Sequence, residues 1–277
     1  MLMSTRPPEA MLPRFVRADG GVRVRIGATA RGSAPLEIAE SGGYRVRFLR
    51  GAVCEGVLIN TGGGMAGGDT MRIAAALDDG ATAVLTTQAA EKIYRSQGDP
   101  TTIAIDLALG AASRLDWLPQ EQILFDEARL TRRLNAALAP DASLLLVESA
   151  VFGRLAMGES VRQGLLRDRW RIRRGGRLVF AEEVRLDGAI AEILDRPALG
   201  GGARVLATVL FVSPDAEAQR DAARVAMEGA PSEWGISALD GMLIARLLGA
   251  DPQALRADLA RLVEFLRGAP MPRSWRT

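Results

Sequence analysis

The residues most able to do chemistry in this 277-residue chain are its carboxylates, because the sequence contains no histidine. That absence removes Ser-His-Asp and Cys-His catalysis, histidine general bases and histidine-based zinc sites. Beyond hydroxyls and arginines, only the single lysine Lys92 and the single cysteine Cys54 remain. Carboxylates suit either general acid–base catalysis in pairs or weak binding of a divalent cation.

One carboxylate ends a glycine-rich stretch, NTGGGMAGGD, at Asn60–Asp69. A phosphate-binding Walker loop needs Lys and Ser/Thr after its last glycine, whereas Asp69-Thr70 stands here. A dinucleotide fingerprint must open a helix, yet TMRIAAAL (Thr70–Leu77) alternates as a strand does. We therefore predict a strand–turn–strand junction with Asp69 as its cap, a ligand role for Asp69 being the alternative. The glycines that permit this turn are Gly62, Gly63, Gly64, Gly67 and Gly68.

Three further segments carry carboxylates. WLPQEQILFD contains Glu121 and Asp126, and ESAVFGRLAMGE contains Glu148 and Glu159. Such pairs are typical of glycosidases, but spacing in sequence does not give the distance across a β-fold. Solvated or ion-paired carboxylates are the commoner outcome. In TTQAAEKIYRS, Glu91 lies beside Lys92 and Arg95, and the preferred interpretation there is an ion-pair cluster at a strand end.

The bulk composition bounds the class of protein. Hydrophobic residues make up 48% and charged residues 25%, with a net charge of +2, which is typical of a globular chain. No apolar run is long enough to span a membrane, and Met1–Glu9 lacks the apolar core of a signal peptide. These features, with a lone cysteine, predict a cytoplasmic protein. The near balance of charges argues against nucleic-acid binding.

Alternating apolar and polar residues predict a body of short strands from about residue 20 to 212. No helical stretch separates the early strands, which excludes a βαβ fold and favours a mainly β, sandwich-like or stacked β-helical body. Turn signals rich in glycine, proline and aspartate separate the segments. The predicted strands are Val22–Ile26, Tyr44–Phe48, Thr70–Leu77, Ala81–Gln88, Thr101–Leu109, Ser143–Ser149, Arg169–Arg174, Arg177–Leu186 and Arg204–Val212.

After Ser213-Pro214 the pattern changes, and a helical region is predicted over about 215–268 within one domain, 1–277. Asp215–Gly229 suits a short helix, Ile236–Gly249 follows, and Asp251–Gly268 is the clearest helix. Asp251 caps its start and Gly268 lies just past its end. One face of this helix, which we expect to pack on the β-body, includes Leu255, Leu259 and Leu262.

Five segments together resemble the urease accessory protein UreD (UreH) family. They are LINTGGGMAGGD, TTQAAEKIYRS, LDWLPQEQILFDEARL, FGRLAMGE and the terminal PMPRSW, which occur in the same order and spacing. The resemblance runs from about residue 20 to the C-terminus. Each motif alone is modest, but five in order make a specific match.

The resemblance implies a maturation factor rather than an enzyme. Proteins of this family bind apo-urease and the partner UreF, which recruits the GTPase UreG that brings nickel. The resemblance also implies that nickel passes through an internal tunnel, in transit, and that no cofactor is tightly bound. A conduit must release its ion, and carboxylates and water bind nickel less tightly than imidazole or thiolate would.

On the matching motifs, Asp69 is the first candidate for a carboxylate of that nickel path. The next candidates are Glu121, Asp126, Glu148 and Glu159, with Glu91 as a weaker one. The glycines of the Asn60–Asp69 loop are expected to be structural. The C-terminal region is the candidate contact for UreF through Leu255, Leu259, Leu262 and Trp275, although the terminal tail could equally dock on its own body.

Two other functions remain open from the sequence. A β-fold hydrolase could use Glu121 and Asp126 as a carboxylate pair. A plain β-scaffold could bind partners without any role in metal delivery, in which case replacing Asp69 and Glu121 by alanine would leave nickel delivery intact.

Overall fold

A computed structural model describes residues 16–96 and 98–276 of the chain. The prediction that Met1–Glu9 is no signal peptide lies outside the described residues. Three α-helices occur in this part of the chain: α1 (Ile190–Asp195), α2 (Arg220–Met227) and α3 (Pro252–Arg267).

The strands follow the alternation of the sequence, and every strand predicted from it is present. The first nine are β1 (Asp19–Thr29), β2 (Gly32–Ser41), β3 (Tyr44–Phe48), β4 (Glu55–Asn60), β5 (Thr70–Leu77), β6 (Thr82–Thr87), β7 (Glu91–Ile93), β8 (Thr101–Leu109) and β9 (Arg114–Leu118). The others are β10 (Gln122–Leu124), β11 (Arg129–Leu138), β12 (Ser143–Phe152), β13 (Gly164–Arg174), β14 (Arg177–Gly188), β15 (Val205–Val212), β16 (Glu233–Leu239) and β17 (Met242–Gly249).

Two sheets face one another. The seven-stranded sheet has the order β14-β13-β11-β8-β5-β1-β2, and the ten-stranded sheet has the order β16-β17-β15-β12-β9-β6-β4-β3 with β7 and β10 attached. In the middle of the chain, successive strands alternate between the sheets, so each turn of the coil adds one parallel strand to each. The prediction of a mainly β, stacked body is therefore confirmed.

Apolar side chains fill two layers. The first layer lies between the sheets and includes Val24, Ile105 and Leu146, all nearly inaccessible to solvent. The second lies on the other face of the ten-stranded sheet, where α3 covers β15 and β17. Burial of these faces provides the main driving force for stacking the sheets and docking the helix.

The helix α3 has the ends that its sequence predicts. The Asp251 side chain accepts a hydrogen bond of 2.9 Å from the Gln253 amide, and proline occupies the first turn. Gly268 adopts the left-handed conformation at φ 64° and ends the helix.

The helical region predicted for 215–268 is wrong in its middle part. β16 and β17 form a hairpin that extends the ten-stranded sheet through β15. Leu243, Ala245 and Leu247 alternate along β17 and point to one face of the sheet, where they are buried. Gly241, between the two strands, makes the turn with a φ angle of 71°. The α2 helix also begins later than Asp215, at Arg220.

A split in the ten-stranded sheet prepares the candidate site. Residues 88–90 separate β6 from β7, and residues 119–121 separate β9 from β10. β12 pairs with β9 through 143–146 and with β10 through 150–152, so no ladder pairing is made at 147–149 on that edge. The neighbouring segments 88–90, 119–121 and 147–149 therefore interrupt the strand pairing at the same level of the sheet. Glu148 lies in the last of these segments.

Candidate functional site

A cavity of about 280 Å³ lies between the sheets at this split. The seven-stranded sheet contributes an apolar wall that includes Ile73, Ile103 and Ile105. Polar groups come from the other side, where the lining includes Asn60, Gln88, Glu91, Gln120, Gln122 and Glu148. A space of this size with several polar groups can hold several water molecules.

Glu91 is the carboxylate at the outer part of the cavity. Asn60 donates a hydrogen bond from Nδ2 to its Oε1 at 2.9 Å. Burial raises the pKa of Glu91 to about 7, against the opposing effect of the Asn60 hydrogen bond. Arg95 instead pairs with Glu127 at 2.8 Å, so the predicted ion-pair cluster of Glu91 with Lys92 or Arg95 is wrong. Glu91 is thus a partly buried carboxyl group with an amide partner.

Replacing Glu91 by glutamine is expected to remove a pH dependence of stability. The folded-state pKa of about 7 exceeds the reference value of 4.5, so the stability that the acid form contributes is full below about 4.5 and is lost as pH rises through about 7. The free energy of unfolding of the wild type should therefore fall by up to about 3 kcal/mol relative to that of Glu91→Gln between pH 4.5 and 8. Denaturant unfolding of both proteins across this range measures the difference.

The matched control for this experiment is Glu37→Gln, since the Glu37 side chain is 69% exposed. Loss of its exposed ion pair with Arg25 should change the free energy of unfolding by less than about 1 kcal/mol throughout the same pH range. A Glu91→Gln difference that stays constant with pH would contradict the assigned environment of Glu91.

Glu148 lies at the inner end of the cavity in a buried polar network. It accepts hydrogen bonds from Trp117 Nε1 at 2.9 Å and from Gln122 Nε2 at 3.3 Å. Arg132 Nη1 also donates to Glu148 Oε2. The Arg132 guanidinium donates to Asp168 as well, from Nε to Oδ1 at 2.9 Å and from Nη2 to Oδ2 at 2.5 Å. The network joins the two sheets, because Arg132 and Asp168 are register neighbours on β11 and β13 while Glu148 faces them from β12.

The charges in this network are coupled. Burial disfavours the charged guanidinium, but the carboxylates of Asp168 and Glu148 outweigh that effect and raise the pKa of Arg132. Burial also raises the pKa of Glu148, against the attraction of Arg132. Among the described residues, the hydrogen bonds to Glu148 all come from donors, which matches an ionised carboxylate. Two carboxylates and one guanidinium then leave one net negative charge beside the cavity.

Asp69 has the capping role that the sequence predicts. Its Oδ1 accepts the Ala18 amide at 2.8 Å and its Oδ2 accepts the Ala66 amide at 2.7 Å. The side chain is buried, and it holds the end of the glycine loop against the start of β1. Asp69 is not among the residues that line the cavity. Its contact with nickel stays a prediction.

The glycine loop itself borders the cavity through Gly63 and Gly64. The Tyr94 hydroxyl donates a hydrogen bond of 2.9 Å to the Gly63 carbonyl, and a Cβ at Gly64 would overlap the Tyr94 ring. Gly63 and Gly68 have positive φ angles of 72° and 88°, whereas Gly62 does not. The loop therefore turns the chain and closes one wall of the cavity.

Gly67→Ala is expected to destabilise the fold by about 1–3 kcal/mol, as overpacking does. A Cβ there would overlap the Ser96 side chain and lie 2.7 Å from the Asp99 carbonyl oxygen. Gly51→Ala is the control, because that glycine is exposed and has no atom within 4 Å of the new Cβ. Thermal or denaturant unfolding should separate the two variants, and equal stabilities would contradict the close approach at Gly67.

The remaining acidic candidates each pair with an arginine. Glu121 binds Arg256 at 2.6 Å, Asp126 binds Arg162 at 2.8 Å, and Glu159 binds Arg154 at 2.6 Å. None of these three carboxylates lines the cavity. Within residues 16–96 and 98–276, no group of three or more His, Cys, Asp or Glu residues is arranged to hold a metal ion. Their place on a nickel path stays a prediction.

Glu121 and Asp126, the proposed hydrolase pair, flank the two ends of β10. Glu121 points to Arg256 on α3, whereas Asp126 accepts the backbone amides of Arg162 and Gln163. The two carboxylates thus have separate partners and do not share a pocket.

The C-terminal residues predicted to bind a partner pack within the chain. Leu255, Leu259 and Leu262 are buried between α3 and the ten-stranded sheet, as the helical pattern predicts. The Trp275 indole donates to the Leu118 carbonyl at 3.0 Å, and the Arg256 guanidinium stacks 4.4 Å from its ring centre. The tail therefore docks on its own body. A role of these residues in binding UreF stays a prediction.

The sequence does not reveal Arg132, Asp168 and Gln122 as site residues. All three are buried, and the Arg132 side chain is 3% exposed. The signal that was available is an arginine at an inward position of an otherwise alternating strand, RLTRRLNAAL. A charged residue at such a position requires buried partners.

Together these features define a stacked two-sheet protein that encloses a small polar-walled cavity. Within the described part of the chain, no helix is both long and apolar enough to cross a membrane. The sequence model of the family described as UreD urease accessory protein matches residues 18–276.

Curated relatives agree with that match. The chain is 50% identical over 283 residues to the urease accessory protein UreD of Methylobacterium sp. strain 4-46, covering 99% of this chain and 100% of the relative. It is 48% identical to the protein of the same name from Azorhizobium caulinodans, covering 95% and 98% respectively. The chain belongs to the UreD family of urease accessory proteins. It therefore has a role in urease maturation and is a maturation factor rather than an enzyme.

Proposed function

We propose that the chain is a cytoplasmic scaffold that binds apo-urease and UreF, with UreG recruited through UreF, and that nickel crosses it through the cavity between the sheets. Nickel is a cargo in this proposal and not a resident cofactor. The observation that carries the proposal is a cavity of about 280 Å³ with Glu91 and Glu148 on its walls.

The donor set of the cavity favours passage over retention. Its polar groups are carboxylates and amides, and the chain has no histidine with which to hold nickel tightly. A conduit must bind an ion strongly enough to admit it and weakly enough to release it. The net negative charge around Glu148 attracts a cation, while Arg132 limits that attraction by neutralising one of the two carboxylates.

Arg132 also determines which side of Glu148 is available. It contacts the Oε2 atom, whereas the only donor to Oε1 among the described residues is the Trp117 indole. A cation that arrives from the cavity would therefore bind Oε1 of Glu148 and displace a neutral donor, the Trp117 indole. The guanidinium would keep its pairing with Asp168 during this exchange.

Complementation tests the maturation role. A urease operon from the chain's own organism, with its UreD gene deleted, would be expressed with and without this chain. Urease activity and nickel per active site should both be restored by the chain. The cognate operon matters because a foreign urease could fail to bind the scaffold for reasons unrelated to function.

Failure in the cognate operon, with the chain soluble and UreF present, would refute the proposed role in urease maturation. Restored activity would establish that role but would not separate a conduit from a plain scaffold. The steric block described in the Discussion makes that separation.

A further inference from the structure

The outer face of the seven-stranded sheet contains a trough with a floor of small side chains. Its floor lies on β5, β8 and β11, and its volume is about 510 Å³. Ala76, Ala108 and Ala137 are neighbours in the strand register and form one row across the three strands. Alanine is a poor strand former, so three of them side by side on an open sheet face call for a reason beyond strand propensity.

Arginines form the two walls of this trough. Arg23 on β1 stands on one side, and Arg171 and Arg173 on β13 stand on the other. Arg171 donates only to the carbonyls of Trp170 and Glu182, and no ion pair with a carboxylate is found for any of the three among the described residues. Other arginines of this face are paired, such as Arg133 with Asp106 at 3.3 Å. The walls are therefore cationic and available to a partner.

The dimensions of the trough fit a helix. Strands β1 and β13 are four places apart in the sheet, which is about 19 Å at the usual strand spacing. The three floor strands span about 10 Å, close to the 10–12 Å diameter of an α-helix with its side chains. Floor strands are hydrogen-bonded on both edges, so an added β-strand has no backbone groups to pair with. Side-chain contacts alone must hold the occupant.

The chemistry of the trough favours protein over nucleic acid. Single-stranded nucleic acids are held largely by stacking on aromatic rings, and no residue lining the trough is aromatic. Alanines in the floor suit the close approach of a helix, and the arginine walls suit carboxylates on its flanks.

We propose that this trough docks an acidic α-helix of a partner protein in the urease maturation complex. The inference rests on the proposed function, since it takes the partner from the proteins that assemble with the chain. Glutamate and aspartate side chains on the two flanks of the helix would pair with Arg23 on one wall and with Arg171 and Arg173 on the other.

Photo-cross-linking within the assembled complex tests this surface. The cognate urease and accessory proteins would be co-expressed with a chain that carries p-benzoylphenylalanine at Ala108, and with a second that carries it at Ala137. Gel filtration first establishes that the complex has formed, and mass spectrometry then identifies the cross-linked peptide. We expect both floor positions to capture the same helical, Asp- and Glu-rich segment of one partner.

Charge reversal supplies the second measurement. The triple variant Arg23→Glu, Arg171→Glu, Arg173→Glu should reduce the yield of the cross-link from Ala108 at least tenfold. The matched control, Arg31→Glu, Arg50→Glu, Arg196→Glu, changes the same net charge at exposed positions outside the trough and should leave the yield unchanged. Thermal unfolding of each variant checks that the fold is retained.

Several results would overturn the inference while leaving the proposed function in place. They are a complex that forms without a cross-link from either floor position, a cross-link to a segment without acidic residues or to nucleic acid, or an equal loss in both triple variants. Absence of any complex on gel filtration would instead refute the proposed function, and the inference would fall with it.

Discussion

Arg132→Met is expected to destabilise the protein by about 3–5 kcal/mol, the range found when one partner of a buried ion pair is removed. The variant leaves Glu148 and Asp168 buried in the same network without their shared guanidinium. Methionine retains the apolar stem but donates no hydrogen bond. Denaturant unfolding would give the change in the free energy of unfolding.

The neighbouring residue provides the control for Arg132→Met. Arg133 lies on the opposite face of β11, its side chain is 43% exposed, and it pairs with Asp106. Arg133→Met should cost less than about 1 kcal/mol, as loss of an exposed pair does. A cost for Arg132→Met as small as that of the control would contradict the buried network.

A compensated variant separates charge from packing. Combining Arg132→Met with Glu148→Gln and Asp168→Asn removes all three charges, and it should recover part of the lost stability. The same triple variant should impair urease activation if Glu148 contacts nickel in transit, even where the fold recovers.

Ala90→Trp is expected to lower urease activation and the nickel content of urease at least tenfold while the maturation complex still assembles. Ala90 lines the cavity in the 88–90 segment, where the ten-stranded sheet is split. An indole at this position would fill space that an ion and its waters need. The measurements are urease activity, nickel per active site, and the amount of complex on gel filtration.

Ala52→Trp is the matched control for this steric block. Ala52 is exposed in the segment between β3 and β4 and does not line the cavity. Its tryptophan variant should support full activation. Normal nickel delivery by Ala90→Trp would exclude the cavity as the conduit and would favour the plain scaffold that the sequence left open.

Strands with uninterrupted alternation could be predicted from the sequence. Thr101–Leu109 directs Ile103, Ile105 and Leu107 to one face, and the structure buries all three. β11 was not predicted, because Arg132 occupies an inward position and breaks the apolar pattern. The residue that hid this strand from sequence analysis is the one at the centre of the buried network.

The hairpin of β16 and β17 was missed for a different reason. MLIARLLG contains mostly residues that favour helices, and its sheet pairing with β15 depends on contacts thirty or more residues away in sequence. Tertiary context overrides local propensity in such segments. The caps of α3 involve residues adjacent in sequence, which is why its ends could be predicted.

By itself, the sequence determined the mainly β body, the capped C-terminal helix, the turn at the glycine loop and membership of a family through five ordered motifs. Those features depend on local periodicity, on backbone conformations peculiar to glycine, and on residue order. Only the tertiary structure decided which carboxylates face the interior. Glu91 and Glu148 line one cavity although 57 positions separate them, whereas Glu121, Asp126 and Glu159 pair with arginines outside it. Stacking of successive coils brings distant residues together, and spacing along the chain carries no record of that proximity.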